Sequence, residues 1–191
     1  MKQRLWIVYL VCVHLLVGVM LWKSDFTTKV AQKIAQLRTG CVHRSTHHCL
    51  TLAQHKRSLD SLPAGGVLFI GDSITQDLPA DEVAPGAVNL GIGGDTTDDV
   101  LERLPVYEGI TEHASAIVLA VGVNDLTDGS EAETAGTYRR VLESLPPVPI
   151  LISSILPTDG RRHERFADYP ERIARVNQQL KALAQAFPHA H

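Results

Sequence analysis

Four short apolar runs dictate what this chain can fold into: Val67–Ile70, Ala87–Leu90, Ala116–Val121 and Val148–Ile152. Each has the length of a strand, and each reads as an apolar stretch, broken only by Asn89, rather than as an alternation with polar residues. Strands of that kind are buried on both faces, which is the condition of a parallel sheet whose crossovers are helices. The intervening segments carry helix start signals. Thr96 with Asp99 and Ser130 with Glu133 have the spacing of a capping box, and Asp168 with Pro170 and Glu171 opens a last helix that aligns Ile173, Val176, Leu180, Leu183 and Phe187 on one face. Strand, loop and helix in alternation predict a doubly wound α/β domain over residues 63–191.

The N-terminal part obeys a different pattern. Leu5–Trp22 is apolar except for Tyr9 and His14 and is bracketed by Lys2, Arg4 and Lys23. As one helix it would span roughly 27 Å, against a bilayer core of about 30 Å. The residues after it lack a small-x-small cleavage pattern, so an uncleaved transmembrane anchor over residues 1–23 is expected rather than a signal peptide. Lys2 and Arg4 then favour a cytoplasmic N-terminus, which makes the protein membrane-anchored with its main domain extracytoplasmic, periplasmic or extracellular. Residues 24–62 are expected to be a juxtamembrane helical segment, with Val30, Ile34 and Leu37 at helical spacing and Gly40 as a stop.

In that segment, Cys41, His43, His47, His48 and Cys49 leave open a disulfide, free thiols or a zinc site. The spacing matches no common zinc module, and an exported segment favours a Cys41–Cys49 disulfide. Lys+Arg 18 against Asp+Glu 21 gives a net charge of −3. That balance leaves no basic stripe for nucleic acid.

The chemistry-bearing residues fall just after the predicted strands, where ligands bind in open parallel sheets. Gly71-Asp72-Ser73-Ile74-Thr75 puts a hydroxyl on the turn into a helix, whose first N–H groups favour negative charge. Asn89-Leu90-Gly91-Ile92-Gly93-Gly94-Asp95-Thr96 is a glycine-rich turn able to expose backbone N–H groups, and Gly122-Val123-Asn124-Asp125 offers a side-chain amide. One hydroxyl with donors from two other loops meets the needs of acyl transfer, a nucleophile and a cradle for the oxyanion.

These three ordered blocks, Phe69–Thr75, Asn89–Thr97 and Val121–Asp125, resemble the SGNH (GDSL-type) hydrolase family, and the stretch Ile150–Thr158 is similar to the family's fourth strand and the loop leaving it. The resemblance implies a flavodoxin-like three-layer sandwich of strand order 2-1-3-4-5. It implies Ser73 as the nucleophile, with the Ser73 amide, the Gly94 amide and the Asn124 side chain as oxyanion donors. Asp72 and Asp125 would hold loops by hydrogen bonding. No cofactor is expected. The substrate would be an ester: a small acyl ester, an O-acetylated sugar or a lysophospholipid. Gly91–Thr96 is similar to the block of platelet-activating-factor acetylhydrolase-like members, which points toward short acyl chains.

One departure is plain. The family activates its serine with a histidine in an Asp-x-x-His block after a fifth strand, and no Asp-x-x-His occurs here. The expectation is a domain lacking its last strand, either as a fragment of a longer enzyme or as a non-catalytic binding module of the same fold. A rewired site would use His163 with Asp159, whereas His189 and His191 lie at or near the start of the fifth strand, too early for the family's histidine. A phosphate-binding flavodoxin-like domain is disfavoured because the first loop lacks the glycine richness of a phosphate cradle.

Overall fold

A computed structural model describes residues 6, 9–11, 13–15, 17–19, 29–30, 45–60, 65–107, 113–128, 131–159 and 167–191. The chain divides into two compact units, Met1–Ala53 and Gln54–His191. In the first, Trp6 and Tyr9 meet edge-on at 5.9 Å, and the His14 ring lies 2.7 Å from the Leu10 carbonyl one helical turn back. Among the described residues no helix is long and apolar enough to cross a membrane. A crossing needs about 20 consecutive apolar helical residues, and the helical residues described between Trp6 and Val19 do not make up such a helix. The expected transmembrane helix over residues 1–23 is corrected accordingly, and with it the membrane partner and the extracytoplasmic placement derived from it. The amphipathic pattern around Ile34 and Leu37 lies outside the described residues. Cys49 is disulfide-bonded and buried, while Cys41, its expected partner, lies outside the described residues.

The elements in chain order are α1 (Thr46–Leu59), β1 (Val67–Gly71), α2 (Ser73–Gln76), α3 (Ala80–Val83), β2 (Val88–Gly91), α4 (Thr97–Arg103) running into a 3-10 turn (Leu104–Tyr107), β3 (Ala116–Ala120), α5 (Val123–Asp128), α6 (Glu131–Ser144), β4 (Ile150–Ile152) and α7 (Tyr169–Ala186). The four strands form one parallel sheet in the order β2-β1-β3-β4. All four predicted apolar runs are strands, with ends that shift by one or two residues. Register places Leu68, Ile117 and Ile150 in one row and Phe69, Val118 and Leu151 in the next. The first row is fully buried, whereas Leu151 in the second is 49% exposed.

Beyond β4, residues 189–191 meet the four-stranded sheet in a single isolated bridge. Ala190 bridges Ile150 in parallel, the Ile150 N–H donates to the His189 carbonyl at 2.7 Å, and the Ile152 N–H donates to the His191 carbonyl at 2.9 Å. These contacts place His189 and His191 beside β4.

The caps follow the sequence in one case and not in another. At α4 the Thr96 hydroxyl accepts from the Asp99 N–H while the Asp99 carboxylate accepts from the Thr96 N–H, a complete capping box. At α7 Asp168 makes no side-chain cap; Pro170 in the first turn needs no N–H partner, and the Asp168 carboxylate faces Arg172 at 3.5 Å instead. The Ser130 cap lies outside the described residues. Helices α4, α6 and α7 pack in sequence beside one another, burying Val100, Tyr138, Val141, Ile173, Val176 and Leu180.

Glycine at 71 is required by space. A Cβ there would collide with the Thr75 hydroxyl and the Ala120 carbonyl. Exposed Gly136 in α6, by contrast, has nothing within 4 Å of a Cβ. Urea unfolding is expected to show Gly71→Ala destabilised by about 1–3 kcal/mol through overpacking, and Gly136→Ala stabilised by about 0.5–1 kcal/mol through helix propensity. Equal midpoints for the two variants would contradict the packing described.

Candidate active site

Ser73 opens α2 directly after β1, and it is exposed at the carboxyl edge of the sheet. The abruptness of the turn has local causes. The buried Asp72 carboxylate accepts from the Ile74 N–H at 2.9 Å, satisfying one of the helix's first donors. Thr75 donates its hydroxyl to the Ala120 carbonyl at 3.2 Å, stitching α2 to the end of β3. At its other end α2 is held by Asn89, whose amide donates to the Thr75 and Leu78 carbonyls at 2.6 and 2.9 Å while its oxygen accepts from the Gly91 N–H at 2.8 Å.

The second loop passes over the serine. A Cβ at Gly93 would lie 3.8 Å from that of Ser73, and the Gly93 N–H donates to the Gln76 side chain at 2.6 Å. Gly94 follows with φ +85°, a left-handed conformation suited to glycine. The third loop is tied to the second, because the Asn124 amide donates to the Asp95 carbonyl at 2.8 Å. An amide nitrogen carries two hydrogens, and this bond uses one of them. The structure therefore brings the loops of Ser73, Gly94 and Asn124 to one end of the sheet. His163 lies outside the described residues, so the Asp159–His163 alternative gains no support.

A small cavity of about 70 Å³ opens beside α2 at the ends of β1, β3 and β4, bounded by Ile74, Val121, Val123, Ile155 and Leu156 over the buried Asp72. Val121 is fixed by Tyr138, whose buried hydroxyl donates to the Val121 carbonyl at 2.8 Å. Burial pushes that phenol's pKa well up.

Beneath the loops lie polar residues that sequence reasoning missed. Arg103 is 2% exposed and donates from Nε to Asp95 at 2.7 Å, from one terminal nitrogen to the Tyr107 hydroxyl at 2.6 Å and from the other to the Gly71 carbonyl at 3.0 Å. His55 reaches the same Tyr107 hydroxyl through Nδ1 at 2.9 Å. A usable signal was present: Arg103 follows Val100 by three residues on one helix face, and an arginine on a buried face needs a carboxylate nearby. Asp125 accepts from the N–H and hydroxyl of Thr97 at 3.1 and 2.5 Å and from the Thr134 hydroxyl at 3.1 Å.

The profile of the GDSL-like lipase/acylhydrolase family matches residues 69–191. The chain belongs to this family. It is 34% identical over 144 residues to platelet-activating factor acetylhydrolase IB subunit alpha2 of Rattus norvegicus, which covers 68% of this chain and 60% of the relative. It is 33% identical over 136 residues to subunit alpha1 of Bos taurus, covering 65% and 56%. The chain thus spans less than two thirds of these curated relatives. Among solved structures, a GDSL-like lipase from Bacteroides thetaiotaomicron superposes with a TM-score of 0.55 at 23% identity, over 71% of this chain and 75% of the other, a likeness of fold.

In this GDSL-like domain the two buried aspartates carry a pH signature. Burial is the largest influence on Asp72 and raises its carboxyl above 3.8, with the Ile74 N–H opposing and Asp95 and Asp125 adding to the rise. Burial likewise raises Asp125, against the hydrogen bonds from Thr97 and Thr134. A raised carboxyl means the folded state holds the proton more tightly than the unfolded chain, so each group subtracts stability at neutral pH and returns it as pH falls through the folded pKa. Asp72→Asn keeps an acceptor for Ile74 but has no proton to gain. Its stability relative to wild type is expected to fall in urea titrations as pH is lowered from 7 toward the ordinary carboxyl value of 3.8; a relative rise would contradict the assignment.

Proposed function

We propose that the domain is a serine esterase acting on carboxylic esters through Ser73. The hydroxyl oxygen of Ser73 attacks the ester carbonyl, and the resulting oxyanion takes hydrogen bonds from the Ser73 and Gly94 amides and the remaining N–H of Asn124. The carbon–oxygen bond to the alcohol then breaks, the serine's proton ends on the leaving alcohol, and water releases the acid. The observation that carries this reading is the exposed serine at the start of α2 with Gly93 passing so close that a Cβ there would lie 3.8 Å from that of Ser73. Backbone N–H donors of the kind a helix start and a glycine turn supply are worth about 10²–10³ in rate each in acyl transfer.

For the substrate, a short acyl ester suits the reading best. The relatives named platelet-activating factor acetylhydrolase support it. An O-acetylated sugar and a lysophospholipid belong to the same class. A second reading is a binding module of the same fold without turnover; residues 1–191 hold no Asp-x-x-His block. Serine hydrolases stripped of their base still keep a residual acceleration of about 10³–10⁴ over water, so both readings are measurable.

The test is hydrolysis of p-nitrophenyl acetate by the wild-type chain and by Ser73→Ala. Release above the buffer rate is expected from the wild type and is expected to vanish in the variant. Unchanged release by Ser73→Ala removes the catalytic assignment. No release from the wild type, together with acetyl-ester binding seen by calorimetry, establishes the second reading.

A further inference from the structure

We propose that Arg103 is a positioning residue that sets the spacing between Ser73 and the Gly94 turn. The inference rests on the esterase reading and extends it to a side chain that touches no substrate. One guanidinium joins the main chain at the end of β1 to a side chain of the glycine turn. It accepts no bond itself; it donates to the Gly71 carbonyl, two residues before Ser73, and to the carboxylate of Asp95, one residue after Gly94. The Asp95 carbonyl in turn receives the Asn124 amide. A single planar cation therefore lies between the nucleophile's strand and the turn carrying its expected oxyanion donor, and through Asp95 it also governs where Asn124 sits.

A stability role alone explains this poorly. A buried ion pair gains little over well-packed apolar side chains of the same volume, because both charges must be stripped of water. What the fork offers is geometry. Its donors are rigid and coplanar, so Gly71 and Asp95 are held at a fixed separation, which the one mobile ammonium of lysine does not reproduce. The fork is itself held: the Tyr107 hydroxyl takes its third nitrogen and meets His55 on the far side. The Gly71 carbonyl also accepts from the Ile92 N–H at 3.0 Å, so the start of the glycine turn and the guanidinium converge on the same atom.

The experiment separates this inference from the esterase reading. A fluorophosphonate reacts with an activated serine by forming an oxygen–phosphorus bond as fluoride leaves and the serine's proton passes to solvent, and its phosphoryl oxygen uses the same donors as an oxyanion. Labelling rates of Ser73 are measured by mass spectrometry for the wild type, Arg103→Lys and Tyr107→Phe, with far-ultraviolet circular dichroism and urea midpoints recorded for each. Arg103→Lys is expected to label at least about tenfold more slowly, with kcat on p-nitrophenyl acetate falling in parallel and KM changing less than about twofold. Tyr107→Phe keeps the charge and the fork and is expected to give a smaller fall in the same direction. Should Arg103→Lys fail to fold, the Tyr107→Phe rate alone decides. Wild-type labelling with folded variants reacting at the wild-type rate overturns the inference and leaves the esterase reading intact. A KM rise with kcat unchanged also overturns it, since that marks lost substrate binding. Absence of labelling in the wild type overturns both.

Discussion

Everything at the carboxyl edge of this sheet depends on how closely α2 approaches the ends of the strands. A single residue, Asp72, separates the helix from the end of β1, and its first turn lies against the ends of both β2 and β3. A Cβ at Gly91 would collide with the main chain of Thr75 and Gln76, just as one at Gly71 would meet Thr75 and the Ala120 carbonyl. Two glycines in neighbouring strands thus clear room for one short helix. A helix of four residues cannot hold itself together, since most of its backbone groups have no partner within it. Its stability is borrowed from outside, from Asp72 at one end and Asn89 at the other. Ser73 is exposed yet well positioned because everything around it is fixed.

That arrangement explains what was legible in the sequence and what was not. The strands were legible because burial on both faces leaves a continuous apolar run, and the Thr96–Asp99 cap was legible because its chemistry is local. The motif loops were legible because glycine, asparagine and serine in those positions answer to short-range geometry. The network beneath them was not, because its contacts join residues far apart in the chain: Arg103 to Gly71, His55 to Tyr107, Asn124 to Asp95. Nothing in the spacing of those pairs announces their contact. The anchor expected over residues 1–23 failed for another reason. Mean apolar content over a window measures how a segment would partition into lipid, and it does not establish that the segment forms one long apolar helix.

The charges around Ser73 impose a further condition on any chemistry there. Asp72, Asp95 and Asp125 are all buried near the serine's end of the sheet, with Arg103 the cation facing Asp95. Their mutual repulsion is visible at Asp72, whose carboxyl is pushed up in part by the other two. Such a field opposes a developing oxyanion. It is tolerable because each carboxylate is occupied by donors: Asp125 by Thr97 and Thr134, Asp95 by the guanidinium, Asp72 by the Ile74 amide. Those bonds spread the negative charge into the loops and away from the serine.

The division of labour follows from this. The carboxylates hold loops, and in the proposed esterase reading the donors left for a substrate are main-chain N–H groups and one hydrogen of Asn124. Donors of that kind need no reorganisation during the reaction, but their worth falls steeply with misplacement, since a hydrogen bond weakens with both distance and angle. A site built this way has its tolerance set by whatever holds the loops apart. In this domain that is a buried ion pair shared between a strand end and a glycine turn, which is why the residues that fix the geometry lie beneath the site and not in it.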